Sequence, residues 1–423
     1  MKIVVQKYGG SSLATAARIK NVAKKIVAFY RRKKGVSLVI VVSAMGGATD
    51  RLINLANMLG KSPEGGLPSC GRELDRLLAT GEEVSSNLLA LAISSLGLSA
   101  ISLTGGEAGI ITNRAHTKAK ILSLDTDRIR KELKKGRIVI VAGFQGISDQ
   151  GEITTLGRGA SDLSAVALAK ALDAERCEIF SDVKGIYTAD PSEVRAAKKI
   201  SRISYDEALG MAGCGARVMQ GRALELAKKF RIPLFVGSSF SKGGLPSGGR
   251  DGKGTIITPP PKFSGGFVEA PLVSNVALNE KEAKVSVFRV LDRPGIAAKI
   301  FAPIARAGIN VDMIVQNVSK QGYTDLSFTV SIEDLERTMK IARKISRQIG
   351  AGNVGFDKDI ARVSIIGLGM QSHPGVAAKM FSALAKHRIN IKMITTSEIK
   401  ISTVVPKKEG KKALRAVHKE FIG

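Results

Sequence analysis

Ile3-Val4-Val5-Gln6-Lys7-Tyr8-Gly9-Gly10-Ser11-Ser12 opens this chain of 423 residues and decides its fold class. An apolar strand ends in a lysine, two glycines follow, and two hydroxyl residues begin a helix. Glycines leave backbone N–H groups bare, and a helix N-terminus adds partial positive charge. The stretch therefore reads as an anion site in which Lys7 supplies a full charge. A tight strand-to-helix turn with a surface lysine is the alternative. The spacing is neither the Gly-x-Gly-x-x-Gly dinucleotide pattern nor a P-loop.

Outward from that stretch, apolar strands alternate with amphipathic helices as far as about residue 238. Strands are predicted at 3–7, 37–43, 99–103, 137–143, 177–181 and 233–237. Helices are predicted at 14–33, 49–59, 71–96, 125–135, 161–172, 204–211 and 215–230. This is an α/β pattern: a mostly parallel sheet sandwiched by helices, with ligands at the carboxyl ends of the strands. Residues 239–266 are rich in Gly, Ser and Pro and read as loop or linker, with 255–258 as a last short strand of the first domain.

The remainder repeats itself. Arg293-Pro294-Gly295-Ile296-Ala297-Ala298-Lys299 recurs as His373-Pro374-Gly375-Val376-Ala377-Ala378-Lys379, and Ile309-Asn310-Val311-Asp312-Met313-Ile314 as Ile389-Asn390-Ile391-Lys392-Met393-Ile394. The first copy has the order strand–helix–strand–strand–helix–strand of a ferredoxin-like unit. The second copy lacks a fourth strand, and the spare strand at 273–278 is expected to fill the gap. The expected domains are 1–262, a linker with the contributed strand at 263–282, a first repeat at 283–357, and a second at 358–423 completed by 273–279.

Composition bounds the function. Residues of hydrophobic type make up 44% and charged residues 24%, a globular balance. No apolar run approaches the ~20 residues of a membrane span, and no signal-peptide core follows Met1. Cys70, Cys177 and Cys214 are widely spaced, which points to reduced thiols in a cytoplasm. His116, His373, His387 and His418 are scattered, so no histidine metal site is expected. The net charge of +28 raises nucleic-acid binding. Against it, the cations are spread along the chain, and aromatics at 4% with no tryptophan leave few stacking platforms.

Three further segments share the chemistry of the first: Ser43-Ala44-Met45-Gly46-Gly47-Ala48-Thr49-Asp50, Thr154-Thr155-Leu156-Gly157-Arg158-Gly159-Ala160-Ser161-Asp162, and Phe180-Ser181-Asp182-Val183-Lys184-Gly185-Ile186-Tyr187-Thr188-Ala189-Asp190-Pro191. Binding and moving phosphate needs alignment, cations and N–H donors more than covalent work, so Lys, Arg, Gly, Ser, Thr and one acid are the residues to seek. With Lys7-Tyr8-Gly9-Gly10-Ser11-Ser12-Leu13 and Gly81-Glu82, these motifs resemble aspartate kinase, of the amino-acid kinase superfamily with paired C-terminal ACT domains. The resemblance covers nearly the whole chain. Two ACT repeats together with Ser-Ala-Met-Gly argue against acetylglutamate, glutamate and UMP kinases.

The resemblance implies ATP-dependent phosphorylation of L-aspartate to 4-phospho-L-aspartate, the first step towards lysine, threonine and methionine. Mg²⁺ would come bound to ATP, without a dedicated protein cage. By the same match, Lys7, Gly10, Ser43, Arg158 and Asp162 are catalytic, and Thr49, Glu82, Arg158 and Ser161 bind aspartate. Lys7, Gly9, Gly10, Ser11, Ser181, Asp182, Tyr187, Asp190 and Arg217 are assigned to the nucleotide. Asp292, Asn310, Gln316, Asn317, Thr396, Ser397 and Glu398 are assigned to a regulatory amino acid, lysine and/or threonine. Homo-oligomers through the ACT units are implied, with no membrane and no nucleic acid. Departures from the family pattern are Glu83, Leu163, Ser164, Lys184, Ser192, Arg217 and Lys392. Those at the nucleotide segment keep open a second reading, a non-catalytic protein whose ACT pair still senses amino acids.

Overall fold

A computed structural model describes residues 2–33, 35–59, 70–216, 219–241, 254–259, 272–317 and 320–423. The chain divides into two compact units. The first holds Met1–Ile186, Lys199–Ala212 and Val218–Ser264; the second holds Tyr187–Lys198, Gly213–Arg217 and Gly265–Gly423.

The elements up to the middle of the chain are, in order, β1 (Lys2–Tyr8), α1 (Ala16–Arg32), β2 (Val36–Val42), α2 (Ala48–Leu59), α3 (Gly71–Ser94), β3 (Ala100–Leu103), β4 (Ile110–Thr112), β5 (Ile121–Leu124), α4 (Asp127–Lys134), β6 (Ile138–Ala142), β7 (Gln145–Ser148), β8 (Ile153–Thr155), α5 (Ser161–Ala171) and β9 (Arg176–Ser181). The two-residue strands β10 (Ile186–Tyr187), β11 (Lys199–Ile200) and β12 (Arg202–Ile203) precede α6 (Tyr205–Gly213), α7 (Gly221–Phe230), β13 (Leu234–Ser238) and β14 (Gly254–Ile257).

An eight-stranded sheet of order β12-β14-β13-β9-β1-β2-β6-β3 is the frame of the first unit. Its central strands are parallel, with Lys7 level with Val41 on one side and Ile179 on the other. Residues 38–42 and 138–142 are wholly buried, as strands covered on both faces must be. Helix α5 is buried along almost its full length, which its small and apolar residues permit. The parallel register brings the carboxyl ends of β1, β2, β6 and β9 to one edge of the sheet. A second sheet of order β5-β4-β7-β8 was not among the predicted strands. Its strands have only three or four residues each and carry no apolar run. The helix predicted at 215–230 begins only at Gly221, because Gln220 before it is extended.

The second unit contains β15 (Asn275–Asn279), β16 (Glu282–Leu291), α8 (Ile296–Arg306), β17 (Ile314–Gln316), β18 (Tyr323–Ser331), α9 (Leu335–Ile349), β19 (Val354–Asp357), β20 (Ile360–Ile366), α10 (Val376–Lys386), β21 (Met393–Ser397), β22 (Lys400–Pro406) and α11 (Gly410–Phe421). They form two four-stranded antiparallel sheets, β17-β18-β16-β19 and β15-β20-β22-β21. Strand β15 lies ahead of the first repeat in sequence yet pairs with β20 of the second, Val276 opposite Ile365. Met313 and Met393, equivalent residues of the two copies, share a small core with Ile360 and Val404.

Two features of this unit were not read from the sequence. Ala189 and Val194 pack into the hydrophobic core of the second repeat, and Val276 N–H donates to the Thr188 carbonyl. Arg362 on β20 is fully buried and is held at 2.6 Å by Glu282, which opens β16, and at 2.5 Å by Asp312 of the first repeat. Lys392 makes the reverse pairing, to Asp357 at 2.6 Å.

Candidate active site

The first loop is shaped by close backbone approach. A Cβ at Gly10 would lie 2.6 Å from the Ala44 carbonyl oxygen, so only glycine lets this loop meet the Ser43 loop. Residues Gly10–Leu13 form a short 3-10 turn before α1 rather than the start of the helix itself. Ser12 N–H closes on the Gly9 carbonyl at 2.9 Å. Gly9 N–H donates to Phe180 O at 3.0 Å, so that amide is engaged by the sheet. Gly9 instead leaves room beside the Lys7 ammonium. Ser11 is half-buried, and its carbonyl accepts from Arg18 at 2.7 Å.

Lys7 Nζ lies 2.7 Å from Asp162 Oδ1, and both side chains are largely buried. Asp162 is the second residue of α5, so its carboxylate sits at a helix N-terminus. The pair fixes the direction of the ammonium at the carboxyl edge of the central sheet. Ser161, the first residue of α5, is buried beside it.

Ser43 follows β2, and its N–H donates to Tyr8 O at 3.1 Å. Its neighbour Ala44 donates its N–H to Glu82 Oε1 at 3.0 Å. Glu82 is on α3 and only 3% exposed. Burial pushes its carboxyl up to about 8, opposed by the Ala44 N–H and, more weakly, by the Lys7 charge. Its other oxygen, Oε2, has no hydrogen-bond partner among the described residues. A buried acid with one unpartnered oxygen is suited to receive a cation, and an ammonium group supplies both charge and protons.

Arg158 is exposed and pairs with Asp50 at 2.9 Å. Asp50 ends the Ser43 segment with no role assigned to it there, and Asp75 of α3 has no sequence signal that marks it; each becomes visible only through its partners. Gln220 donates its side-chain amide to Arg158 O and its backbone N–H to Asp162 Oδ2, both at 3.3 Å. Thr49 is half-buried inside the first turn of α2, which Ala48 begins. Thr49 therefore does not cap that helix.

Ser181 ends β9, and its carbonyl accepts from Ser239 N–H at 2.9 Å. Asp182 is exposed just beyond it. Tyr187 and Asp190 group with the second unit. There Asn275 donates to Tyr187 O at 2.9 Å, and Asp190 Oδ1 accepts from Ser192 N–H and hydroxyl. Arg217 lies outside the described residues. Asp292, Asn310, Gln316 and Asn317 are exposed on the first repeat, and Thr396, Ser397 and Glu398 on the second. Gln316 is on β17, and Thr396 and Ser397 on β21, each an edge strand of its sheet.

Comparison with known proteins places the chain in a family. The profile of the Amino acid kinase family matches residues 2–238, and ACT domain profiles match 285–347 and 363–421. An aspartate kinase of Stutzerimonas stutzeri is 46% identical over 421 residues, covering all of this chain and 97% of its own length. The structure of E. coli aspartokinase III in complex with aspartate and ADP (R-state) is 25% identical, with a TM-score of 0.81 and full coverage of both chains. The same protein in complex with lysine and aspartate (T-state) superimposes with a TM-score of 0.73, again over the whole of both chains. The amino-acid kinase fold, the two C-terminal ACT domains and this full-length similarity establish that the chain belongs to the aspartate kinase family.

Proposed function

We propose that the chain transfers the γ-phosphoryl group of ATP to the β-carboxylate of L-aspartate, giving ADP and 4-phospho-L-aspartate, the first step towards lysine, threonine and methionine. The observation that carries the reading is the Lys7–Asp162 pair at the sheet edge, with the buried acid Glu82 of α3 bonded to the Ser43 loop. A carboxylate oxygen attacks the γ-phosphorus as the bond to the β-phosphate oxygen breaks. The nucleophile is already anionic, so no general base is needed. The charge that shifts toward the leaving oxygen is met by Lys7 and by backbone N–H groups of the Gly10-Ser11 turn. Ser43 lines the path of the phosphoryl group.

Glu82 takes the substrate ammonium, Arg158 takes the α-carboxylate, and Thr49 and Ser161 complete the aspartate site. Gly9, Ser181, Asp182, Tyr187, Asp190 and Arg217 are assigned to the nucleotide. Mg²⁺, bound with ATP, would neutralise phosphate charge. Asp182, an exposed carboxylate just beyond β9, would offer such an ion a hard oxygen donor. Among the described residues no group of three or more His, Cys, Asp or Glu could hold an ion.

Lysine, threonine or both act as feedback inhibitors at the ACT pair, and the lysine complex of E. coli aspartokinase III supports that choice. The edge strands β17 and β21 expose Ile314 and Ile394, which fits pairing with a second copy of the chain. The enzyme is assigned to the cytoplasm, and no described helix is long and apolar enough to cross a membrane. The test is ADP release with aspartate, glutamate or N-acetylglutamate, each with and without lysine and threonine. Release that depends on aspartate alone supports the reading, and its absence overturns it.

A further inference from the structure

We infer that Asp75 is the positioning residue that sets the Arg158 loop for the substrate's α-carboxylate; the inference rests on the role proposed for Arg158. Asp75 is in the first half of α3, seven residues before Glu82, so the two acids share the buried face of one helix. Its side chain is fully buried. Its oxygens accept the Thr117 N–H at 3.1 and 3.0 Å, and Oδ1 also accepts the Thr155 hydroxyl. Oδ2 lies 2.8 Å from His116 Nδ1. A buried carboxylate with this many partners holds a defined arrangement of backbone.

That arrangement is strained. Thr117 has a φ of +67°, a conformation that a β-branched residue keeps only when its surroundings impose it. Ala119 N–H donates to Thr155 O at 2.9 Å, joining the two segments directly. On the far side, Arg222 of α7 donates to Leu156 O at 2.6 Å and to Ala119 O at 3.1 Å. Residues 116–119 and 155–156 are thus fastened from α3 and from α7. The chain leaves this stem at Gly157, with φ +93°, and the next residue is Arg158.

Helix α3 therefore holds both substrate-binding loops. Glu82 grips the Ala44 amide, and Asp75 grips Thr155 and Thr117. The ammonium and α-carboxylate of an amino acid sit on one carbon, so their partners must keep a set separation. One helix that anchors both loops supplies it.

The test uses the full-length enzyme with D75N, T155V, R158A and D75N/R158A, each checked for native circular dichroism. D75N and T155V are expected to raise KM for aspartate about ten-fold or more, up to the hundred-fold that a displacement near 1 Å can cost. KM for ATP is expected to stay within about two-fold of wild type. Preference for L-aspartate over its α-amide, L-isoasparagine, should shrink, because the lost interaction is with that carboxylate. D75N should add nothing to R158A. Unchanged KM for aspartate, a parallel rise in both KM values, or a D75N loss that multiplies fully with R158A overturns the inference. If D75N does not fold, T155V decides by the same criteria. Wild-type KM for aspartate in R158A would instead overturn the proposed role of Arg158, and this inference with it.

Discussion

Glu82 should make aspartate binding release a proton. In the free enzyme its carboxyl is pushed up to about 8 by burial, so at pH 7 it is roughly nine-tenths protonated. An ammonium placed against the unpartnered Oε2 favours the charged form and pulls that value back down. Binding at pH 7 should then release roughly 0.9 proton per aspartate. Ionising Glu82 at that pH costs about 1.4 kcal/mol of the binding energy. Between pH 7 and pH 6 the ionised fraction of the free enzyme falls about nine-fold, and the apparent affinity for aspartate should fall with it. The assay is calorimetric titration of aspartate in two buffers of different ionisation enthalpy, repeated at pH 6, 7 and 8. E82Q keeps an acceptor for the Ala44 N–H and has no proton to lose, so it should bind more weakly, with a flat pH profile. The same shift has a stability sign. Folding raises the pKa from 4.5 to about 8, so this group's contribution is full below pH 4.5 and is lost as pH rises through 8. Identical binding heats in both buffers for the wild type, or the same pH slope in E82Q, would refute the reasoning.

Other outcomes are also specific. K7A should keep its circular dichroism spectrum yet lose about 10²–10³-fold in kcat, the usual effect of removing one preorganised donor; a loss under ten-fold would sink the role given to Lys7. R362L leaves Glu282 buried without its cation and should cost about 3–5 kcal/mol in urea unfolding of the second unit. A cost below about 1 kcal/mol would show that the buried pair contributes little. Lysine should inhibit the wild type, and E398A should raise its half-inhibitory concentration several-fold, within a coupling of about 1–3 kcal/mol. Lysine and threonine that neither bind nor inhibit the wild type would leave the ACT pair without a regulatory part.

The parallel strands at 38–42 and 138–142 were legible because burial on both faces demands unbroken apolar runs. The ferredoxin-like repeats were legible because one copy spells out the other. The turns after β1 and β2 were legible for a similar reason: a strand end, a glycine and a helix start are contiguous in sequence. The strands β4, β5, β7 and β8 were not, since three or four residues carry too little periodicity to separate from loop. The segment 180–191 is continuous as a motif, yet Ala189 belongs to the core of the second ACT domain.

By itself, the order of residues determined the fold class and the repeat, because local backbone chemistry and periodicity are written in neighbouring residues. Tertiary structure alone decided which charges meet: Lys7 with Asp162, Arg158 with Asp50, Arg362 with Glu282, and Asp75 with Thr155. Only packing could place Glu82 away from water and so raise its pKa. Pairing and desolvation depend on distances between residues far apart in the chain, and those distances exist only once it is folded.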